Sequence, residues 1–333
     1  MESTKEGKEF QEIAEIQSKE EDGILCKNNV VGVALGHKVK DDRDTGDSCM
    51  VVFVNHKLEK SLLSDDDLVP KAIGKYKTDV VETGDFFAGG HVPDEVQGDI
   101  AQPLRERIRP AMGGYSVGHT EVTAGTIATG VFDASPYPAI PEKYYILSNN
   151  HVIANSNDAS VGDPIIQPGR VDGGSNPADR IGRLTRWVPI RFDGRSNLVD
   201  AAIAETDFHN INRQVYWIGH VRGYSEGRLP RSRPWYPNLS IGDVVRKTGR
   251  TTNYTSGNLT AFNATVNVNF GGGRTARFIR QITTSRMSAG GDSGSLVVDF
   301  DNNAVGLLFA GSTQRTILNP IYFVRNLLRI RLF

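Results

Sequence analysis

The sequence predicts a mostly β protein: two barrel-like β bodies in the C-terminal two thirds, preceded by a small α/β domain. Three observations predict it. From Gly113 onward, short apolar runs recur with Gly, Asn, Asp or Pro between most of them, the pattern of a sandwich or barrel pair. Before residue 85, one helix-period stretch stands beside Val-rich runs, so strands and helices mix there. Only the C-terminal "IYFVRNLLRIRLF" offers a further apolar stripe of helical period, expected to dock as a closing helix.

Taken in order, residues 6–25 form a helix whose buried side carries Phe10, Ile13, Ile16 and Gln17. "NVVGVALGHKV" and "CMVVFVNHKL" are strands. "SLLSDDDLVPKAI" is a short helical turn, capped by Ser64 and broken by Pro70, and "KTDVVETG" is another strand. The α/β unit therefore spans residues 1–85. Residues 86–112, rich in Gly, Pro and charge, read as a linker carrying Arg105, Arg107 and Arg109. Residues 113–333 hold the β bodies, with strands at "AGTIATGVF", "KYYILSN", "DPIIQ", "RIGRLTRW", "LVDAAIAE", "DVVRKTG", "ATVNVNF", "ARFIRQITT", "GSLVVDF" and "AVGLLFAG".

Composition narrows the function classes. The chain has 333 residues, 38% of them hydrophobic, which suits two domains with a substantial core. No run approaches about 20 uninterrupted apolar residues, so no membrane span is expected. A formal net charge of −1 gives no global field for nucleic acid or an anionic membrane. The basic stretch with Arg222, Arg228, Arg231 and Arg233 reads as a solvated loop, with an acidic partner as the alternative. The first residues are charged and lack the apolar core of a secretory signal. The two cysteines, Cys26 and Cys49, both lie in the N-terminal quarter, which together with that start points to a reducing cytoplasm and buried thiols.

The chemistry centres on "GGDSGSL", Gly290–Leu296. A serine between glycines is either a tight turn or a nucleophile whose neighbouring N–H groups face a substrate. A serine nucleophile needs a base, and the base an orienting acid. Of seven histidines, only His151 follows directly on a strongly apolar strand, in "YYILSNNHVIA". Asp200 sits inside the apolar run "NLVDAAIAE", where a carboxylate is costly unless paired; an imidazole N–H or backbone N–H groups would each satisfy it. His37 and His56 lie in separate strand-like runs with no third ligand nearby, and with no HExxH, paired CxxC or phosphate loop, no metal or cofactor is expected.

"LSNNHVIA", "NLVDAAIA" and "GGDSGSLVV", in that order, resemble the trypsin/chymotrypsin-like serine peptidases, and more closely a bacterial trypsin-like subgroup with an N-terminal appendage. "AGTIATGVFD", "KTGRTTNYTSGNLTA" and "AVGLLFAGSTQRTILNPI" share in the likeness, which covers roughly residues 113–333 and extends more weakly from "NVVGVALGHKV" to "DVVETG". The resemblance implies a double β-barrel of trypsin-like type and a triad of His151, Asp200 and Ser293. It implies an oxyanion hole made by the N–H groups of Gly291 and Ser293. The order His, Asp, Ser separates this family from the α/β-hydrolases, in which serine comes first.

Specificity departs from trypsin. Six residues before Ser293, where trypsin holds an acid, stands Met287; the pocket wall would be Phe309, Ala310 and Gly311. An apolar or small side chain is therefore expected in the pocket, not Lys or Arg. Relatives that are activated by cleavage pair the acid before the serine with a new N-terminal amine. No "IVGG"-like start exists here, so Asp292 is expected to hydrogen-bond inside its own turn.

The expected function is a serine endopeptidase acting on protein or peptide substrates. The N-terminal domain would regulate the cleft, dock a partner that does, or support folding. The alternatives are a catalytically latent pseudoprotease that binds or scaffolds, and an esterase using the same three residues.

Overall fold

The computed structural model describes residues 5–41, 43–89, 103–134, 141, 143–225 and 238–332. The N-terminal unit opens with helix α1 (Lys5–Leu25), followed by strands β1 (Val30–Lys40), β2 (Arg43–Val54), β3 (Ala72–Ile73) and β4 (Tyr76–Glu82). One side of α1 carries Phe10, Ile13, Ala14, Ile24 and Leu25, which pack with Val33, Leu35, Met50 and Val52. Each such large side chain withdrawn from water contributes about 1.5–3 kcal/mol. Gln17 is buried too, and its Nε2 donates to the Asn263 carbonyl at 3.0 Å. Ser64 precedes a single 3-10 turn, Asp65–Asp67, and its hydroxyl donates to the Asp67 carboxylate at 2.6 Å instead of capping the backbone.

Strand β5 (Phe86–Ala88) comes next. The first β body then runs through β6 (Ala111–Gly113), β7 (Ser116–His119), β8 (Gly125–Thr126), β9 (Thr129–Asp133), β10 (Tyr144–Ser148), the one-turn helix α2 (Asn150–Ile153), β11 (Pro164–Ile166), β12 (Arg180–Trp187) and β13 (Ala202–Thr206). Strands β7 to β13 form one antiparallel sheet in the order β9-β10-β13-β12-β11-β7-β8. Val117, Ile127, Ile146, Ile165, Ile181, Leu184 and Ala204 from all along it meet in one apolar cluster. A small side sheet joins β6 to β14 (Ile211–Val215) and β15 (Gly219–His220).

The second body follows, with β16 (Gly223–Tyr224), β17 (Val244–Gly249), β18 (Asn253–Asn269), β19 (Thr275–Ser285), β20 (Leu296–Val298), β21 (Asn303–Gly311) and β22 (Arg315–Pro320). Its sheet order is β17-β20-β21-β22-β19-β18, and β18 pairs again with β17. Six strands thus close into a barrel, which removes their free edges. Val245, Leu259, Ile282, Leu296, Leu307 and Leu318 fill it. Helix α3 (Ile321–Leu328) closes the chain as expected, but the last residues leave the helical pattern: Arg329 turns left-handed and β23 (Ile330–Arg331) pairs with β9 of the first body.

The mostly β, double-barrel class is therefore observed, with α1 and its strands in front. Hydrogen bonds cross the boundary expected near residue 85, because β1 pairs antiparallel with β18, Gly32 opposite Val266 and Gly36 opposite Ala261. The segment 86–112 differs from a linker at both described ends. Phe86–Ala88 is a strand, and Leu104 and Ala111 are fully buried against the first body. Arg228, Arg231 and Arg233 lie outside the described residues, while Arg222 is exposed. Cys49 is buried, and burial pushes its thiol up to about 12. Cys26, expected inside, is exposed: it follows the last turn of α1, where the chain turns away from the helix's packed side.

Candidate active site

His151 sits on α2, immediately after β10 delivers the chain to the barrel edge. Asp200, fully buried, just precedes β13, the neighbour of β10. The pairing brings the two together: His151 Nδ1 lies 2.5 Å from Asp200 Oδ2, and the His151 N–H donates to Asp200 Oδ1 at 3.1 Å. Further bonds hold Asp200 in place. Its N–H donates to Asn319 Oδ1 at 2.9 Å, Asn319 Nδ2 donates to Gln281 Oε1 at 2.8 Å, and Asn149 Nδ2 donates to the Asp200 carbonyl at 2.7 Å. This buried polar chain crosses from one barrel to the other, and it leaves Asn149 Oδ1 buried without a partner.

The serine loop lies between Ser285 of β19 and β20. The Asp292 N–H donates to the Ala289 carbonyl, the Gly294 N–H to Leu308 and the Ser295 N–H to Asp292. The Gly291 and Ser293 N–H groups stand outside these bonds, as an anion hole requires. The first barrel pins the loop: Thr126 Oγ1 donates to the Gly291 carbonyl at 2.8 Å, and the Thr126 N–H to the Ser293 carbonyl at 2.7 Å. Two glycines are obligatory here. Gly291 has φ +91°, and a Cβ on it would stand 2.5 Å from Thr251 Oγ1. Gly294 has φ +97°, and a Cβ there would stand 2.1 Å from the Thr126 carbonyl oxygen.

His151, Gly290 and Gly291 line one cleft of about 520 Å³, together with Val152, Thr251, Arg105 and Arg250. Ser293 Oγ, the nucleophile expected from the sequence, donates to the Phe309 carbonyl at 3.3 Å. His151 Nε2, the nitrogen a general base uses, is buried without a partner.

Asp292 is not satisfied by its turn alone. It accepts from the Ala289 N–H at 3.0 Å within the turn, and also from the Thr251 N–H, the Thr252 N–H and the Thr252 hydroxyl. Lys247 Nζ, on β17 and wholly buried, approaches Asp292 Oδ2 at 3.0 Å. Burial alone would raise this carboxyl. The Lys247 ammonium, the Thr252 hydroxyl and the Ala289 N–H outweigh burial and hold it below the usual carboxylate range. A cation already in the fold thus meets the acid that precedes Ser293. Lys247 lies in "DVVRKTG", an ordinary strand pattern whose inward-facing lysine is its only local signal.

The expected pocket residues are all buried. Met287 packs into the second barrel's core and places its Sδ 3.1 Å from where a Cβ on Gly257 would stand. Phe309 and Ala310 belong to a separate apolar cluster with Phe278 and Val268. Beside His151 stands an aromatic wall that the sequence reading missed: Phe270 meets the imidazole edge-on at 6.0 Å and Phe192 at 5.4 Å. His37 stands between Glu6 and Asp44, 3.0 and 2.8 Å away, and joins α1 to β1.

No protein-family model and no curated protein matches the chain. Solved structures do. Protease A of Thermobifida fusca is 16% identical with a TM-score of 0.44, over 66% of this chain and 96% of its own. A Nocardiopsis protease is 20% identical with a TM-score of 0.44, over 66% and 97%. A Cellulomonas bogoriensis chymotrypsin is 18% identical with a TM-score of 0.42, over 67% and 97%. At these identities the likeness is one of fold.

Proposed function

We propose that the chain is a serine endopeptidase using His151, Asp200 and Ser293. The observation that carries the reading is the His151–Asp200 contact at 2.5 Å, with the imidazole in one cleft with the Gly290–Gly291 loop. Ser293 Oγ leaves the Phe309 carbonyl by rotation about one bond and gives its proton to His151 Nε2 as it attacks a peptide carbonyl. The Asp200 carboxylate keeps the other nitrogen protonated and stabilises the imidazolium. Negative charge on the former carbonyl oxygen is met by the Gly291 and Ser293 N–H groups; losing one such donor costs on the order of 3 kcal/mol. His151 then protonates the leaving amine, and water, deprotonated in turn by His151, hydrolyses the acyl-enzyme.

The latent, binding-only reading is favoured by one observation, the Ser293 hydroxyl's bond to Phe309 in place of His151. A fluorophosphonate probe separates the two. Labelling of the wild-type chain and none of Ser293→Ala supports the peptidase; absence of labelling in both supports latency. Hydrolysis of small esters but of no peptide in a cleavage profile would favour an esterase. The free thiols of Cys26 and Cys49 support a reducing compartment as the place of work. Among the described residues, no helix is long and apolar enough to cross a membrane. The N-terminal unit is proposed to control the cleft, a role supported by its hydrogen-bonded junction with the second barrel.

A further inference from the structure

Strand β5 occupies a particular place. Phe87 lies opposite Gly311 and Ala88 opposite Ala310, antiparallel to β21. The next residue continues the ladder: the Gly89 N–H donates to the Phe309 carbonyl at 3.4 Å. The other edge of β5 runs parallel to β18, Phe86 beside Val268 and Phe87 beside Asn269. The four residues therefore fill a slot between two strands of the second barrel.

The end of that slot is the catalytic cleft. Ala88 and Gly89 line it together with His151, Gly290 and Gly291. The carbonyl that accepts the Gly89 N–H also accepts the Ser293 hydroxyl. One oxygen thus joins the chain's own extended segment to the proposed nucleophile. An extended peptide added antiparallel to a strand edge is the general way a groove takes a peptide, with main-chain bonds for affinity.

Two details separate this segment from a peptide about to be cut. Gly89 has φ +82°, a conformation that residues with side chains rarely adopt, and its Cβ position faces open space. The Ser293 hydroxyl donates to the Phe309 carbonyl and makes no hydrogen bond to His151 Nε2. Upstream the segment is tethered closely. β4 ends at Glu82, the Thr83 N–H donates to the Val54 carbonyl, and Asn55 Nδ2 donates to the Asp85 carboxylate at 2.8 Å. Phe86 is 1% exposed and meets Phe53 edge-on at 5.9 Å. An anchor and a short tether give the segment a high effective concentration at the groove.

We propose that Phe86–Gly89 is a tethered occupant of the peptide groove, an intramolecular inhibitor in peptide register that must withdraw from Phe309–Gly311 before a substrate pairs there. The proposal rests on the peptidase reading for its consequence, but the occupancy can be tested apart from it. Intramolecular occupancy lowers the apparent affinity for any competing peptide by the fraction of chains with an open groove.

The experiment uses the full chain and Gly89→Pro. Proline removes the N–H that reaches Phe309, and its φ near −65° is incompatible with the observed backbone. The open space at this position spares the core. The probe is an acetylated tetrapeptide with the sequence of residues 86–89 and a free carboxylate, titrated by calorimetry. Gly89→Pro is expected to bind it roughly tenfold more tightly than wild type. Phe86→Ala, which releases the anchor, should shift in the same direction. Hydrolysis of internally quenched peptides should rise in kcat/KM, mainly through KM. Equal tetrapeptide affinity in wild type and Gly89→Pro overturns the proposal, whether or not either protein labels with fluorophosphonate. Intact mass supplies the remaining arm: an uncut wild-type chain supports an inhibitor, whereas a chain cut after Gly89 overturns it in favour of a self-substrate. If labelling is absent while the affinity difference persists, the peptidase reading falls and the occupied groove stands.

Discussion

The Asp200 carboxylate has no water to turn to, so its contacts decide what His151 can do. Asp200→Asn keeps the shape but presents the wrong hydrogen-bonding partner to Nδ1. Peptide hydrolysis should fall by roughly 10⁴-fold while the unfolding midpoint barely moves. A loss of less than tenfold would remove Asp200 from the mechanism. Lys247 and Asp292 form a pair in which both side chains are fully buried. Lys247→Met leaves the carboxylate uncompensated and should lower stability by about 3–5 kcal/mol in urea unfolding. The pH dependence follows from the depressed Asp292 pKa. Its contribution is complete above the unfolded carboxyl value, about 4, and is lost as pH falls through the folded value. Without Lys247 the carboxyl rises instead, so the acid-unfolding midpoint of Lys247→Met should move to higher pH. An unchanged midpoint would show the pair to be dispensable.

At the scale of elements, α1 acts through one packed side. Ile13 is fully buried against the face of β1 and β2. Ile13→Ala should cost about 2–5 kcal/mol by removing contacts and leaving a cavity, read as a lower urea midpoint. The loop before Ser293 is proposed to set the specificity pocket. Met287 is drawn into the barrel core, where the trypsin pattern would place an acid, and Phe309 and Ala310 add apolar surface. A lysine or arginine side chain entering there would bury its charge without a partner. A peptide-library cleavage profile should therefore show small or apolar residues before the scissile bond. A profile dominated by lysine and arginine would reject this wall.

For the whole molecule, the N-terminal unit and the second barrel share one run of strands. Beyond the β1–β18 ladder, Thr265 Oγ1 donates to Glu21 at 2.9 Å and Arg277 Nη1 to Asp22 at 2.6 Å. A fragment of residues 113–333 would bare the β18 positions paired by β1 and the apolar partners of Phe86. Exposed strand edges of this kind associate. Expressed alone, the fragment should aggregate, or unfold at a lower urea midpoint than the full chain. A soluble fragment with the full chain's midpoint and peptide hydrolysis rate would deny residues 1–85 both a folding and a regulatory role.

The amino-acid sequence by itself determined the features that depend on near neighbours. The spacing of Phe10, Ile13 and Gln17 set a helix with one buried side, and turn residues between apolar runs marked the strands of both barrels. His151 was legible because an apolar strand runs directly into it, and Asp200 because an unpaired charge in an apolar run is costly. Tertiary structure decided whatever depends on distant residues. Nothing local in "DVVRKTG" says that Lys247 meets Asp292, 45 residues on, since any buried lysine needs some carboxylate and only the barrel's closure chooses which. Nothing in the Gly-rich "FFAGG" says that Phe86–Ala88 pairs with β21, more than 200 residues away, because three residues carry no periodicity. The C-terminal stripe read as helix throughout, yet β9 offered Ile330 and Arg331 an unpaired edge, and the ladder to it replaced the helix's last turn. In each case a backbone edge or a buried charge was satisfied by a partner that only the folded chain brings near.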